Sequence, residues 1–377
     1  MPIQSSERLA PKHSMIPSPP SPTPLSAAKQ ELLAKRLRGR VPASAAATRI
    51  PRRSENQPAP LSYVQQRLWF IHELDPASTA YHLPISLRLL GPLQPSALER
   101  ALQTLVERHE ILRTTFDAGG SEPVQVISPA RPQALPAIDL RSHPPPERED
   151  QARRILWREA NREFDLIRGP LIRWHLLRLE ENEHILIVAM HHIIADGWSV
   201  GVWCREVQAC YRAIRRGQKP ELPELPIQYA DYAAWQREWL QGERLETLLA
   251  FWRTHLAGAP AEITLPIDHA PGDEPDSRGA SRTVLLPRAT YDALTALARH
   301  QDSSPFMVLL SALAILLWKW TRQDDLVLGT VVAGRTRREL EPLLGCFMNF
   351  LPLRVRLAAA ATGLDVLTQV KRSEEHT

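Results

Sequence analysis

The sequence has few cysteines: Cys204, Cys210 and Cys346 are the three in 377 residues. None stands in a CxxC pair, so neither a disulfide framework nor a cysteine-based zinc ribbon is expected. They read as reduced thiols used as small apolar residues. No Gly-rich loop of the phosphate-cradling kind is present. No serine or cysteine sits in a GxSxG context, which removes the usual signal of a covalent acyl-enzyme. HExxH spacing is absent, and no metal site is expected. The most apolar run, Phe306 to Trp318, is too short to span a bilayer and reads as a buried core helix. The first twenty residues lack the apolar centre of a signal peptide, and a cytoplasmic location is expected.

Charge is also unevenly spread. The formal net charge is +4. Residues 1–60 hold ten Lys/Arg and three Asp/Glu, giving +7 and leaving about −3 for the remaining 317. The basicity belongs to a Pro-, Ser- and Ala-rich tail, read as a linker or docking segment over residues 1–57, in which 26–40 has the pattern of a short amphipathic helix. The body lacks a basic stripe interleaved with aromatics, so neither nucleic acid nor membrane is an expected partner. A hydrophobic content of 44% and a charged content of 23% fit a globular chain long enough for two lobes. Prolines at 220, 223 and 226 place the boundary, with an N-terminal lobe over 58–225 and a C-terminal lobe over 226–377.

The order of elements is mixed α/β in both halves. Ser62 and Gln65 form a capping box for a helix over 63–73, and Tyr81 to Leu90 reads as a strand. Ser96 and Glu99 are read as a second capping box, for a helix with Leu98, Leu102 and Leu105 on its buried face. Residues 113–116 start a strand, and 129–150 read as surface loop. A helix is expected over 151–163. Strands over 171–179 and 185–190 flank a polar turn. Ser199 is read as the N-cap of a helix that Gly217 ends. Two helices broken near Gly242 follow. The rest is a loop over 266–279, a strand over 281–286, a helix over 291–300, a long helix starting at Ser304-Pro305, and strands over 326–332 and 350–357. The end beyond Gly363 reads as one or two helical turns.

The stretch that carries chemistry is Met190 to Ser199 (MHHIIADGWS). An apolar strand opens into a turn holding His191 and His192, then Asp196 and Gly197. Successive strand residues face opposite ways, so one histidine faces a site and the other faces packing; parity alone leaves open which. A histidine at a strand end suits proton transfer near neutral pH.

Four further stretches stand in a fixed order around it: Leu61 to Trp69 (LSYVQQRLW), Arg108 to Phe116 (RHEILRTTF), Tyr229 to Trp235 (YADYAAW) and Leu344 to Phe350 (LGCFMNF). With the HHxxxDG stretch they make the chain resemble the condensation domains of nonribosomal peptide synthetases over residues 58–370. The resemblance implies a chloramphenicol acetyltransferase-like fold of two lobes, with the active site in a tunnel between them. The segments that close the second lobe in that family are not in this sequence, so that lobe is expected to be incomplete. In the family an asparagine is followed by Thr, whereas Asn349 here is followed by Phe350.

The implied activity is amide-bond formation. The amine of a carrier-bound aminoacyl group attacks an upstream carrier-bound acyl or peptidyl thioester, of L configuration by the look of the first two stretches. Implied partners are upstream and downstream peptidyl carrier domains and an adjacent adenylation domain. The substrates arrive on phosphopantetheine arms, and the domain itself binds no cofactor. His192 is implied as the group that accepts the amine proton, and the Gly197 N–H as an aid to the oxyanion. His191, Asp196, Arg67, Trp198 and Asn349 are implied supports, with Asp196 paired to Arg67. Two other readings are a non-catalytic module that recruits carrier or partner proteins and a free-standing acyl-CoA-dependent acyltransferase.

Overall fold

The computed structural model describes residues 49–54, 59–117, 119–120, 122–267, 282–357 and 362–375. The helix expected over 26–40, and most of the loop expected over 266–279, lie outside them. One compact unit begins at Ile50.

Its centre is a sheet of order β2-β7-β6-β5, formed by His82–Leu90, Glu183–His191, Ile172–Glu180 and Ala137–Asp139. β7 is hydrogen-bonded on both edges, antiparallel to β2 and to β6. It is apolar at almost every position because both of its faces are covered. Leu186, Val188 and Met190 enter the main core. Ile185 and Ile187 point the other way, joining Leu177, Leu179 and Ala152 in a smaller core. That smaller core lies under α3 (Pro145–Ala160). β1 (Ala59–Pro60), β4 (Val124–Ile127) and β3 (Thr114–Asp117) form a second sheet.

The main core is filled by α1 (Tyr63–Leu74), α2 (Pro95–Arg108) and α4 (Gly197–Arg215). It continues through Tyr229 and Tyr232 of α5 (Tyr229–Trp239) to Leu340, Leu343, Leu344 and Phe347. Ile50 is buried in the same core. The chain around it is fastened down by several contacts. The Ile50 N–H donates to Glu339 Oε1 at 3.2 Å, and Arg52 donates to the carbonyls of Leu225 and Pro226, each at 2.9 Å. The Arg53 side chain meets Glu110 Oε2 at 2.7 Å, and its N–H meets Asp231 Oδ1 at 3.0 Å.

After α6 (Gly242–Leu256) and α7 (Arg288–His300), a third sheet pairs β8 (Asp325–Val332) with β9 (Asn349–Arg356), antiparallel. α8 (Pro305–Thr321) and α9 (Gly363–Glu375) pack on it through Leu310, Ala314, Val366 and Val370.

The mixed α/β class expected from the sequence is the class observed, and several local expectations need correction. Pro95 occupies the first turn of α2, so Ser96 is inside the helix and caps nothing. Glu99 accepts instead from the Leu135 N–H at 2.9 Å. The stretch 129–150 is not all loop: it holds β5 and the start of α3, whose first residues are prolines suited to a position that needs no backbone donor. Residues 282–287 form no strand, leaving Val284 and Leu285 77% and 88% exposed. The chain beyond Gly363 forms a 13-residue helix. α8 is not a buried core helix. It is apolar all round, but the third sheet covers only one side, and Phe306, Leu309, Leu313, Leu316 and Trp320 are exposed. No single helix among the described residues is long and apolar enough to cross a membrane.

Candidate active site

The two histidines part company at the end of β7. His191 is the last strand residue; its N–H donates to the Leu171 carbonyl at 3.0 Å. The chain then turns, with Ile194 N–H bonded to His191 O at 3.1 Å and the His192 N–H to Tyr81 O at 2.8 Å. The His191 ring is buried, edge-on to His72, His82 and Phe164 at 5.9–6.0 Å. Its Nδ1 accepts from the Ile193 N–H at 3.1 Å, so that nitrogen carries no proton. Burial, then the neighbouring His82, His72 and His192, depress its pKa to about 3. The His192 ring is only partly buried, edge-on to Tyr81 at 6.4 Å. Its Nδ1 has no hydrogen-bond partner among the described residues. Burial lowers its pKa below the ordinary histidine value, with the Ala195 backbone and Asp196 opposing. At neutral pH it is a neutral imidazole whose unengaged Nδ1 is buried, the exposed part of the ring lying elsewhere.

Asp196 is the N-cap of α4, accepting from the Ser199 N–H at 2.8 Å, so Ser199 is not the cap itself. It is also half of a buried ion pair, and the partner is Arg335. Arg335 Nη2 lies 3.2 Å from Asp196 Oδ1, with both side chains almost fully buried. Asp196 Oδ2 accepts from the Phe347 N–H at 3.0 Å. Arg335 further donates to Ser199 Oγ at 2.9 Å and to the carbonyls of Leu340 and Leu343, and its guanidinium lies 4.0 Å from the Phe347 ring centroid.

The expected Asp196–Arg67 pair is therefore not formed. Arg67 projects from α1 over the Phe350 ring, 5.2 Å from its centroid, and its buried Nη2 has no hydrogen-bond partner among the described residues. The reason is positional: Arg335, just after β8, reaches the carboxylate and also satisfies the carbonyls of the turn that follows.

Four of the motif stretches converge on Tyr229. Its hydroxyl lies 2.8 Å from Ser62 Oγ and donates to the Cys346 carbonyl at 2.5 Å. Gly345 rests against its ring and is tied to Ser199 Oγ through both its N–H and its carbonyl. Gln65 Nε2 donates to Ile193 O at 3.3 Å, joining the first stretch to the histidine turn. The fifth stretch braces from below: His109 Nε2 meets Glu206 Oε2 at 2.7 Å, and Arg108 holds the same carboxylate.

Gly197 begins α4, and a Cβ added to it would meet nothing within 4 Å. Its N–H is among the first helical donors, which have no partner within the helix. Trp198 is half-exposed and donates from Nε1 to Glu341 O at 3.0 Å. Asn349 is exposed, and its Oδ1 accepts from the adjacent Phe350 N–H at 3.0 Å rather than meeting the histidines. Burial pushes the Cys346 thiol up to about 12 and Cys210 to about 11, so neither is a thiolate nucleophile at neutral pH. Among the described residues, no group of three or more His, Cys, Asp or Glu side chains is placed to hold a metal ion. Arg335 escapes a reading of the sequence alone. It follows a glycine at a strand end and carries no local signal of its own.

Comparison with known proteins gives three consistent results. The family model described as "Condensation domain" matches residues 55–377. The chain is 44% identical over 324 residues to a linear gramicidin synthase polypeptide of Brevibacillus parabrevis, covering 86% of this chain and 4% of that protein. It thus spans a small part of that relative. Among solved structures, the X-domain in its complex with OxyB from teicoplanin biosynthesis superposes with a TM-score of 0.77 at 33% identity, covering 87% of this chain and 72% of that one. The first condensation domain of the calcium-dependent antibiotic synthetase superposes with a TM-score of 0.73 at 23% identity, covering 86% and 75%, which speaks for the fold.

Proposed function

Because the chain belongs to the condensation-domain family, we propose that it forms amide bonds between two thioester-tethered substrates in a nonribosomal peptide synthetase. The acceptor is an aminoacyl group and the donor an acyl or L-configured peptidyl group. Each is carried on the phosphopantetheine arm of a neighbouring carrier domain, and an adenylation domain loads the acceptor. We read the assembly as cytoplasmic. Tethering supplies the effective concentration, so the domain's own task is to align amine and carbonyl.

The amine nitrogen attacks the donor thioester carbonyl. The C–N bond forms, the tetrahedral adduct collapses, the C–S bond breaks, and the donor's thiol leaves with a proton. An α-amino group has a pKa near ~8, so about a tenth is already neutral at pH 7. The demanding proton is the one on the adduct nitrogen. His192 accepts it and returns it to the departing sulfur. The Gly197 N–H, at the positive end of α4, faces the developing oxyanion. Arg67, free of Asp196, stands over Phe350 as a further donor toward the bound arm or carbonyl.

The observation that carries this reading is the state of His192: its ring is neutral and partly exposed, while its neighbour is locked into packing. Single-turnover peptide formation between two loaded carriers tests it. His192→Ala should lower the rate by about 10²–10⁴ with an unchanged melting curve; an unchanged rate would refute the role. A recruiting module without chemistry is the second reading, favoured by the likeness to the X-domain solved with OxyB. It predicts no product from the unaltered chain in the same assay.

A further inference from the structure

α3 lies on the far side of the central sheet from α2 and α4. Ala152, Ile155 and Leu156 on its inner face pack on the smaller core. Its outer face does something an ordinary solvated helix does not: it presents Trp157, 70% exposed, between arginines. Arg153, Arg154, Trp157 and Arg158 line a shallow depression of about 470 Å³. Arg162 follows one turn later, its side chain 61% exposed and 3.9 Å from Glu159 Oε2. Arg153 is held by Asp150 at 3.2 Å, whereas Arg154 and Arg158 have no ion-pair or hydrogen-bond partner among the described residues. A tryptophan left 70% exposed adds little to folding, and Arg154 and Arg158 beside it carry unpaired positive charge that an opposite charge would relieve.

We propose that this face is a docking surface for an acidic helical segment of a partner protein, with an apolar residue of that segment seated on Trp157. The charge names the class of occupant. The tail of this chain is itself basic and is repelled. The patch is also short. Asp150 lies at one end and Glu163 at the other, both exposed, so the field changes sign after about three helical turns. A nucleic acid strand tracking the arginines would run into carboxylates at each end, whereas a helix of matching length would not. Tryptophan and arginine are the residues that most often anchor protein interfaces.

The test uses the full 377-residue chain and a fluorescein-labelled sixteen-residue helical peptide with a glutamate face and two central leucines, followed by anisotropy at low salt. Binding should weaken about tenfold in Trp157→Ala and again in Arg154→Gln/Arg158→Gln. It should survive Arg154→Lys/Arg158→Lys and vanish when the peptide's glutamates become lysines. Unchanged affinity in both loss variants would overturn the proposal. So would tighter binding of a short DNA duplex or of phosphatidylglycerol vesicles through the same residues, or a Trp157-dependent dimer in sedimentation. Melting curves and condensation of freely diffusing thioesters should be the same in all variants, which keeps this outcome separate from the fate of the proposed reaction.

Discussion

A Cβ on Gly345 would fall 1.9 Å from Cδ2 of Tyr229. The two residues belong to different motif stretches more than a hundred positions apart, and their contact brings the Cys346 carbonyl onto the Tyr229 hydroxyl. Gly345 has φ of +151°, a backbone conformation that side chains resist. Gly345→Ala therefore carries both a clash and backbone strain. It should destabilise the domain by about 3 kcal/mol or more, at or beyond the upper end of overpacking costs, measured as a fall in urea midpoint. Tyr229→Phe, which keeps the packing and leaves the carbonyl unpaired, should cost about 1–3 kcal/mol.

Asp196 and Arg335 give a test of which arginine braces the loop. Asp196→Ala and Arg335→Ala should each cost about 3–5 kcal/mol, since each strands a buried charge. A double-mutant cycle should show strong coupling between them. Arg67→Ala should couple to neither and should leave the urea midpoint almost unchanged while slowing peptide formation. Coupling of Arg67 with Asp196 would restore the pairing expected from the sequence.

Acid should loosen the domain through His191. Its folded pKa is about 3 against roughly 6.5 for an unfolded histidine, so the unfolded state binds the extra proton between those limits. Stability is then lost as pH falls through that window, by up to about 1.4 kcal/mol per pH unit. His82 is also lowered, mainly by burial, and works in the same direction. Urea midpoints at pH 7.5, 6.0 and 5.0 should fall, and the slope should flatten in His191→Asn.

On the proposed mechanism His192 sets a different pH dependence, that of rate. In that proposal the neutral ring is the working form, and burial lowers its pKa. Single-turnover rates should therefore drop only below the ordinary histidine range near ~6.5. In His192→Ala that acidic limb should disappear, leaving the gentler dependence of the amine substrate near ~8. A wild-type limb that persists in the variant would assign it to another group.

Much of this is legible in the chain. β7 announces itself because a strand covered on both faces has no polar positions to spare, and α1 because Ser62 and Gln65 write a capping box that the structure forms in full. The split between the histidines is legible as a split, since neighbours at a strand end diverge; which one packs depends on Phe164, His72 and His82, which come from three separate segments. Arg335 is out of reach for the same reason. An ion pair across 139 positions leaves no trace in spacing, and Arg67, closer to a motif, claims the role by resemblance. α8 misleads because an apolar helix predicts burial without saying how many neighbours it has.

The fastening of residues 50–53 bears on where this domain can be cut and joined to another chain. Ile50 fills a core position and its N–H donates to Glu339, while Arg52 and Arg53 hold the chain to the N-terminal end of α5. A splice made at the start of the first motif, near Leu61, would leave behind a foreign linker unable to fill that position. The hybrid would inherit a cavity beside the segment that supplies Arg335. A junction upstream of Ile50 moves the domain together with its own plug.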